Sequence, residues 1–224
     1  MQHQDMENTK AGATPNNREL YSPLYIGYNN IIKRIFDLMI SGIAICTLFP
    51  FICLIVGIII KLTSPGPIFF VQKRTGKDGK DFNCYKFRSM KINKEADEVQ
   101  ATANDPRKTP FGNFIRNTSI DEIPQLINVF LGDMSLIGPR PHMVKHTEMY
   151  SNLIDNYMDR HAVKPGITGW AQVTGLRGET KELSQMENRV KADIWYIKNW
   201  SFLLDLKIIL KTISTILLGD KNAY

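Results

Sequence analysis

Twenty-three consecutive uncharged residues, 38–60, constrain this chain more than any other stretch. An apolar run of that length is read as a membrane segment. Pro50 stands at its middle, where it removes a helix hydrogen bond and kinks or breaks the helix. Lys33 and Arg34 precede the run, and Lys61, Lys73 and Arg74 follow it. Positive charge marks the cytoplasmic side of a membrane, and here it flanks the run on both sides. A straight crossing would place one cluster outside. A helix that enters, turns at Pro50 and returns keeps both inside. Its arms of roughly 12–15 residues, at about 1.5 Å each, reach roughly 20 Å, short of a ~30 Å hydrocarbon core. The pattern predicts a re-entrant helix-break-helix over residues 31–62 that dips into one leaflet. A kinked spanning helix is the alternative. A buried core helix fits less well, because so few polar residues interrupt the run.

Residues 1–30 are polar and show little apolar periodicity, which suits a flexible tail. Residues 63–224 suffice for one domain of ordinary size. The apolar run starts too late and is too long for a cleaved signal peptide, and no small-x-small site follows it. The membrane segment is therefore expected to stay in the mature protein. Cys46 and Cys53 lie within the run and Cys84 far from both, an odd count without metal-ligand spacing. A reducing cytoplasmic location fits. The net charge of +6 has a local source, since residues 61–91 carry eight Lys or Arg against Asp78 and Asp81. Beside a membrane such a cluster attracts anionic headgroups at about 1 kcal/mol per charge. It equally suits a phosphorylated ligand or a solvated basic loop. Nucleic acid is not expected, because no recognition motif supports it.

The pattern predicts an α+β fold, mainly helical, with a re-entrant helix, a small β-hairpin and interfacial amphipathic helices. Ser64-Pro65-Gly66-Pro67 is a turn. Residues 68–72 and 82–88 are expected as strands joined by a Gly-containing loop over 74–80. A weak helix is expected over 93–100. A further helix over 119–130 would carry Ile120, Ile123, Leu126, Ile127 and Phe130 on its apolar face. Others are expected over 147–160, 182–199 and 202–218, with Ser201 capping the last. Residues 164–178 suggest a loop with a short strand around 170–173. On the last helix Leu206, Leu210, Ile213 and Leu217 share one face, with Trp195 and Trp200 just before it. That face suits either the membrane interface or ordinary core packing.

The chemistry points to Asp121 and Glu122, adjacent carboxylates placed in the first turn of the helix over 119–130. A bland reading competes, because Ser119 with Glu122 fits a capping box, S-x-x-E, and acids near a helix N-terminus favour the macrodipole. Three features favour chemistry. Arg116 precedes the pair, Gly138-Pro139-Arg140-Pro141 presents an arginine on a rigid loop, and Lys86 and Arg88 add phosphate-compatible cations. A carboxylate nucleophile or metal ligand with cations to neutralise phosphates is what phosphoryl transfer requires. Carboxylate plus phosphate oxygens is also typical Mg²⁺ ligation.

Seven segments then occur in register: Lys33-Arg34-Ile35-Phe36-Asp37, the Pro-containing membrane run, Ser64-Pro65-Gly66-Pro67, Tyr85-Lys86-Phe87-Arg88-Ser89-Met90, Asp121-Glu122-Ile123-Pro124-Gln125-Leu126, Gly138-Pro139-Arg140-Pro141 and Lys164-Pro165-Gly166-Ile167-Thr168-Gly169-Trp170. Over about residues 31–220 the chain resembles the bacterial sugar transferase family, the monotopic phosphoglycosyl transferases. The stretch 169–180 is similar to the catalytic part of the colanic-acid type undecaprenyl-phosphate glucose phosphotransferases, of which this chain would be a minimal version. The resemblance implies transfer of sugar-1-phosphate from a UDP-sugar, UDP-glucose first, to undecaprenyl phosphate with release of UMP, as the first membrane step of exopolysaccharide, capsule or O-antigen synthesis. UDP-galactose or a UDP-N-acetylhexosamine are alternative donors. It implies Asp121 as nucleophile through a covalent aspartyl-phosphosugar, and Glu122 as its partner and a Mg²⁺ ligand. It implies Arg140, within Pro139 and Pro141, at the phosphates, with Lys86 and Arg88 as further substrate-binding cations. Lys33, Arg34 and Pro50 would set topology. The implied location is the bacterial inner membrane, with the catalytic domain on the cytoplasmic face among membrane lipids and a homodimer as one state.

His142, His146 and His161 lack metal-like spacing and are expected to be structural or solvent-facing, although His142, next to the Pro-Arg-Pro loop, is placed to touch substrate. Trp170 is either a stacking partner for uracil or a packing anchor. Two other function classes stay open: a catalytically inactive, membrane-tethered lipid- or partner-binding scaffold, and a signal-anchored protein with an outside domain.

Overall fold

One helix dominates the molecule. Helix α1 runs from Gly27 to Thr63 and is long and apolar enough to cross a membrane. The computed structural model describes residues 20–93, 102, 105–178, 180 and 182–218. The expected break at Pro50 is not there, and the helix continues through it. The carbonyl that proline frees belongs to Cys46, and both residues are exposed, so no unpaired carbonyl is trapped in a core. Of the tail expected over residues 1–30, residues 1–19 lie outside the described residues, and residues 20–30 are not a free tail. Leu24 is buried, and the Ser22 hydroxyl donates to the Ile197 carbonyl at 2.7 Å.

Strands β1, Phe69–Thr75, and β2, Asp81–Phe87, form the expected hairpin. Its tip turns on Asp78 (φ 56°) and Gly79 (φ 73°), the pair of positive φ values that a tight hairpin turn requires. Helix α2, Pro110–Asn117, opens with the Thr109 side chain accepting from the Gly112 N–H, and Pro110 occupies its first position. A 3-10 turn, Ile120–Glu122, leads to α3, Gln125–Leu131. Strands β3, Ser135–Ile137, and β4, Gly166–Thr168, pair in parallel. Between them lie α4, Val144–Ser151, and a 3-10 stretch, Tyr157–Ala162, where one helix over 147–160 was expected. Residues 170–173 form a short helix α5, Trp170–Val173, not a strand. Helices α6, Leu183–Lys198, and α7, Phe202–Leu218, complete the chain, with the Ser201 Oγ accepting from the Leu204 N–H. The helix expected over 93–100 lies, from residue 94, outside the described residues.

Both arms of α1 pack on the same domain. Near its start, Lys33 pairs with Asp205 of α7 at 2.6 Å, and Arg34 donates to the Val129 and Phe130 carbonyls at the end of α3. Asp37 accepts from the Leu136 N–H at 2.9 Å and the Ser135 hydroxyl at 3.1 Å. Near its end, Val56 and Ile60 form a core with Phe87 of β2 and Ile115 of α2, joined by Phe49, Ile120 and Ile123. The apolar face expected of the helix over 119–130 thus turns toward α1. The side of α3 that is most buried carries Gln125, Asn128 and Val129 instead. Asn128 explains the exchange, because its amide accepts from the Tyr85 N–H at 3.0 Å and donates to the Asn83 carbonyl at 2.7 Å, docking the edge strand β2 onto α3.

Most of α1 remains uncovered, with Phe51 70 % and Leu62 82 % exposed. On α7 the buried residues are Asp205 and Ile208, whereas Leu210 and Ile213 are exposed. The face carrying Leu206, Leu210 and Ile213 therefore does not form the core, which removes the core-packing reading of that face.

Candidate active site

Five segments meet around Asp121 and Glu122. The 3-10 turn that carries them is entered through Ser119 in the left-handed region, at φ 58°. No capping box forms. The Ser119 hydroxyl accepts from Arg177 at 2.8 Å, and the Glu122 carboxylate faces away from the Ser119 backbone toward two cations. Lys86 of β2 donates to Glu122 Oε1 at 2.7 Å. Arg140 grips the same carboxylate with both terminal nitrogens, Nη1 to Oε2 at 3.1 Å and Nη2 to Oε1. This is the bidentate geometry for which arginine is suited.

Two glycine-containing loops hold Arg140 in place. The Gly138 N–H donates to the Thr168 carbonyl at 2.9 Å, and the Gly166 N–H to the Pro139 carbonyl at 2.9 Å. A side chain at Gly138 would bring its Cβ to 2.5 Å from the Lys164 carbonyl oxygen, so the close backbone approach requires glycine. Below the loop, Arg160, 2 % exposed, donates to the Arg140 carbonyl at 2.8 Å while paired with the buried Asp193 at 2.7 Å. Helix α6 thus fixes the Pro-Arg-Pro loop from behind.

The two carboxylates are pushed in opposite directions. Burial raises Asp121, as does the neighbouring Glu122 charge, against the pull of Lys86, Arg116 and Arg140. Burial alone would raise Glu122 too, but the charges and hydrogen bonds of Arg140 and Lys86 hold it well below the usual carboxylate range. Glu122 raises Arg140 in return. Two carboxylates whose environments separate them in this way take different roles. Glu122 is a fixed anion that organises the cations. Among the described residues no hydrogen bond or ion pair holds the Asp121 carboxylate, which lines the cleft.

That cleft measures about 390 Å³. Among the described residues, two lysines and seven arginines line it against Asp121 and Glu122, an excess of positive charge suited to a diphosphate. Lys86, Arg88, Arg140 and Pro141 lie in its wall as expected from the sequence. Pro139 does not, among the described lining; it is buried, and its carbonyl is taken by Gly166. Arg88 reaches the cleft but donates to the Pro65 and Ser64 carbonyls, so it holds the Ser-Pro-Gly-Pro turn at the end of α1. Trp170 is a packing anchor and not a cleft residue. It stacks on Trp195 at 4.7 Å, with Lys207 and Lys211 over its ring.

Sequence reasoning singled out neither Arg189 nor the Arg160–Asp193 pair. Arg189 lines the cleft and donates to the Leu176 and Gly178 carbonyls. Both arginines belong to stretches expected only as helices, with no local signal for a buried ion pair. His161 is buried, which pushes it down to about 3. His142 is buried in the cleft wall and held well below its usual range, first by burial and then by the charges of Arg160 and Arg189. Both are therefore neutral. His146, half-buried, also lines the cleft.

Comparison with known proteins identifies the family. A family model described as bacterial sugar transferase matches residues 28–219. The chain is 51 % identical over 196 residues, 87 % of its length, to the UDP-glucose:undecaprenyl-phosphate glucose-1-phosphate transferase of Escherichia coli K12, and covers 42 % of that protein. It is 46 % identical over 201 residues, 89 % of its length, to the UDP-N-acetylgalactosamine-undecaprenyl-phosphate N-acetylgalactosaminephosphotransferase of Aeromonas hydrophila, and covers 46 % of it. It is 42 % identical over 197 residues, 86 % of its length, to the exopolysaccharide production protein PSS of Rhizobium leguminosarum bv. phaseoli, and covers 98 % of it. The chain thus spans less than half the length of two of these relatives and nearly all of the third.

Proposed function

Because the chain belongs to the bacterial sugar transferase family, we propose that it transfers sugar-1-phosphate from a UDP-sugar, UDP-glucose first among the candidates, to undecaprenyl phosphate, releasing UMP. The observation that carries this reading is the unpaired carboxylate of Asp121 beside a Glu122 already bound to Arg140 and Lys86, in a cleft dominated by cations. Asp121 attacks the β-phosphorus of the donor. The bond to the bridging oxygen breaks, UMP leaves with that electron pair, and the sugar phosphate stays on the Asp121 oxygen. A phosphate oxygen of undecaprenyl phosphate then attacks the same phosphorus and displaces Asp121. Arg140 and Lys86, fixed by Glu122, meet the charge that develops on the phosphoryl oxygens without reorganising.

Mg²⁺ fits the donor chemistry. Glu122 receives three hydrogen bonds, and a carboxylate has about four acceptor positions. One position on Glu122 thus remains, to be supplemented by substrate phosphate oxygens in the usual manner of this ion. Bound there, Mg²⁺ would supply further neutralisation of the diphosphate.

The packing of α1 supports a re-entrant membrane arrangement. At 37 residues and about 1.5 Å each it is roughly 55 Å long, yet residues 33–37 and 49–60 both pack on one domain. A straight crossing would part those ends. Helix α1 dips into one leaflet and keeps Lys33, Arg34 and Lys61 on the cytoplasmic face of the inner membrane. The exposed side of α7 lies in the interface beside it. The cleft then opens where a lipid phosphate and a soluble nucleotide sugar meet. A non-catalytic scaffold has no use for an unpaired buried carboxylate.

The test is UMP release from a panel of UDP-sugars, with undecaprenyl phosphate and Mg²⁺, by the native chain and by Asp121→Asn. Release from one donor, abolished in Asp121→Asn, is expected. Radiolabel from the sugar should stay on the native protein when the acceptor is omitted. Absence of release from every donor by folded protein in nanodiscs would sink the transferase reading.

A further inference from the structure

The cleft extends along β1. Phe69, Gln72 and Arg74 all line it, and five residues of strand span about 17 Å. Arg88 stands at the Phe69 end and donates to Pro65 and Ser64. At the other end Arg74 bridges to Met143, next to His142. Positive charge at this second end is engaged within the protein. Arg74 donates to the Pro141 carbonyl and to Gln72, and Arg189 donates to the Leu176 and Gly178 carbonyls. His142 in the wall there is neutral, with Met143 and Met186 for neighbours in the lining.

His142 has a built orientation. It is 5 % exposed, its Nδ1 lies 2.6 Å from the Tyr157 hydroxyl, and its Nε2 is buried without a partner among the described residues. The Tyr157 hydroxyl occupies Nδ1, which leaves Nε2 as the ring's unused hydrogen-bonding position. A buried polar nitrogen without a partner in a cleft wall awaits a ligand hydroxyl, which can donate or accept.

The position identifies that hydroxyl. His142 follows Arg140 by two residues, so the two Cα atoms are no more than about 7 Å apart. Arg140 marks the place of the β-phosphate, and the group bonded directly to that phosphate is the sugar. Uracil stands off by the α-phosphate and the ribose.

Resting on the transferase reading, we propose that His142 is a sugar-reading residue, whose Nε2 hydrogen-bonds a pyranose hydroxyl of the donor while the Tyr157 hydroxyl holds the ring. The experiment is calorimetric titration of Asp121→Asn protein in nanodiscs, which binds without turnover, first with UDP-glucose, UDP-galactose and UDP-N-acetylglucosamine to find the tightest, then with UMP. His142→Ala added to this background should weaken the tightest sugar nucleotide about tenfold, the cost of one lost hydrogen bond in a buried site, and leave UMP unchanged. His142→Gln, which retains a donor, should recover part of the loss. Unchanged affinity for the sugar nucleotide in both variants overturns the proposal. An equal loss for UMP in both also overturns it, since the residue would then serve the nucleotide or the fold. If the parent Asp121→Asn protein binds neither ligand, the transferase reading itself fails and takes this inference with it.

Discussion

At the scale of single residues, Asp121 and Glu122 divide the work of the site by what surrounds them. In the proposed reaction Asp121 must be ionised to attack, and its folded value is raised. The acid limb of the rate profile should therefore lie above the ordinary aspartate range, with activity falling as the pH is lowered through it. A measured limb at or below that range would contradict the burial argument. The same shift has a stability sign. A carboxyl whose folded value exceeds its unfolded value binds its proton more tightly when folded, so the native state loses stability as the pH rises through that window. Asp121→Asn removes the penalty and should abolish UMP release while raising the melting temperature at neutral pH. For a chain of this size a gain of about 1 kcal/mol corresponds to roughly 2–4 °C. The acidic pair was legible in the sequence, but its division of roles was not. The S-x-x-E spacing of Ser119 and Glu122 suggested a cap equally well, and the choice was made by the left-handed backbone at Ser119 and by Arg140, eighteen residues away in sequence.

At the scale of elements, α1 and α7 are joined by a buried polar knot. Lys33 and Trp200 both reach Asp205 Oδ2, at 2.6 and 3.0 Å, and the Tyr196 hydroxyl reaches Oδ1 at 2.7 Å. Removing one partner of a buried ion pair strands the other, at about 3–5 kcal/mol. Asp205→Asn should therefore lower the melting temperature markedly, whereas Lys191→Ala, which removes an exposed pair with Glu187 at 3.9 Å, should change it little. Topology is also decided at this scale. In a background with Cys46, Cys53 and Cys84 replaced, single cysteines at the exposed positions 28 and 63 should both resist a membrane-impermeant reagent in whole cells and both react in inverted vesicles. Labelling of one from each side would establish a straight crossing. The length and apolarity of α1 were evident from its residues, because a 23-residue uncharged run has few other uses. Its continuity through Pro50 was not, since proline is tolerated where the freed carbonyl of Cys46 is exposed.

At the scale of the whole molecule, the site exists only where distant segments converge. The Pro-Arg-Pro loop lies against the loop that contains Gly166 and Gly169, and a Cβ at Gly166 would overlap the Gly138 backbone. Gly166→Ala should push the two loops apart, displace Arg140 from Glu122 and lower kcat at least tenfold, with a smaller change in melting temperature than Asp205→Asn produces. Retention of full activity would show that the loop contact is dispensable. Short-range pattern carried much of the architecture. The hairpin, α6 and α7 fall within a few residues of their expected places, because alternation, Asp-Gly turn chemistry and helical periodicity act over a few residues. The same patterns failed for residues 170–173, whose β-prone Trp170 and Val173 form a helical turn with Trp170 stacked on Trp195.

The sequence by itself determined the long apolar helix, the hairpin, the family and the adjacent carboxylates, since each depends on local composition or on ordered motifs. Only the tertiary structure decided that Glu122 is bound and Asp121 unpaired among the described residues, that Arg88 holds a turn, that Pro139 anchors a loop, and that His142 Nε2 is buried without a partner among them. Charge pairing and desolvation depend on which groups lie a few ångströms away in space, and in this protein those neighbours come from segments far apart in the chain.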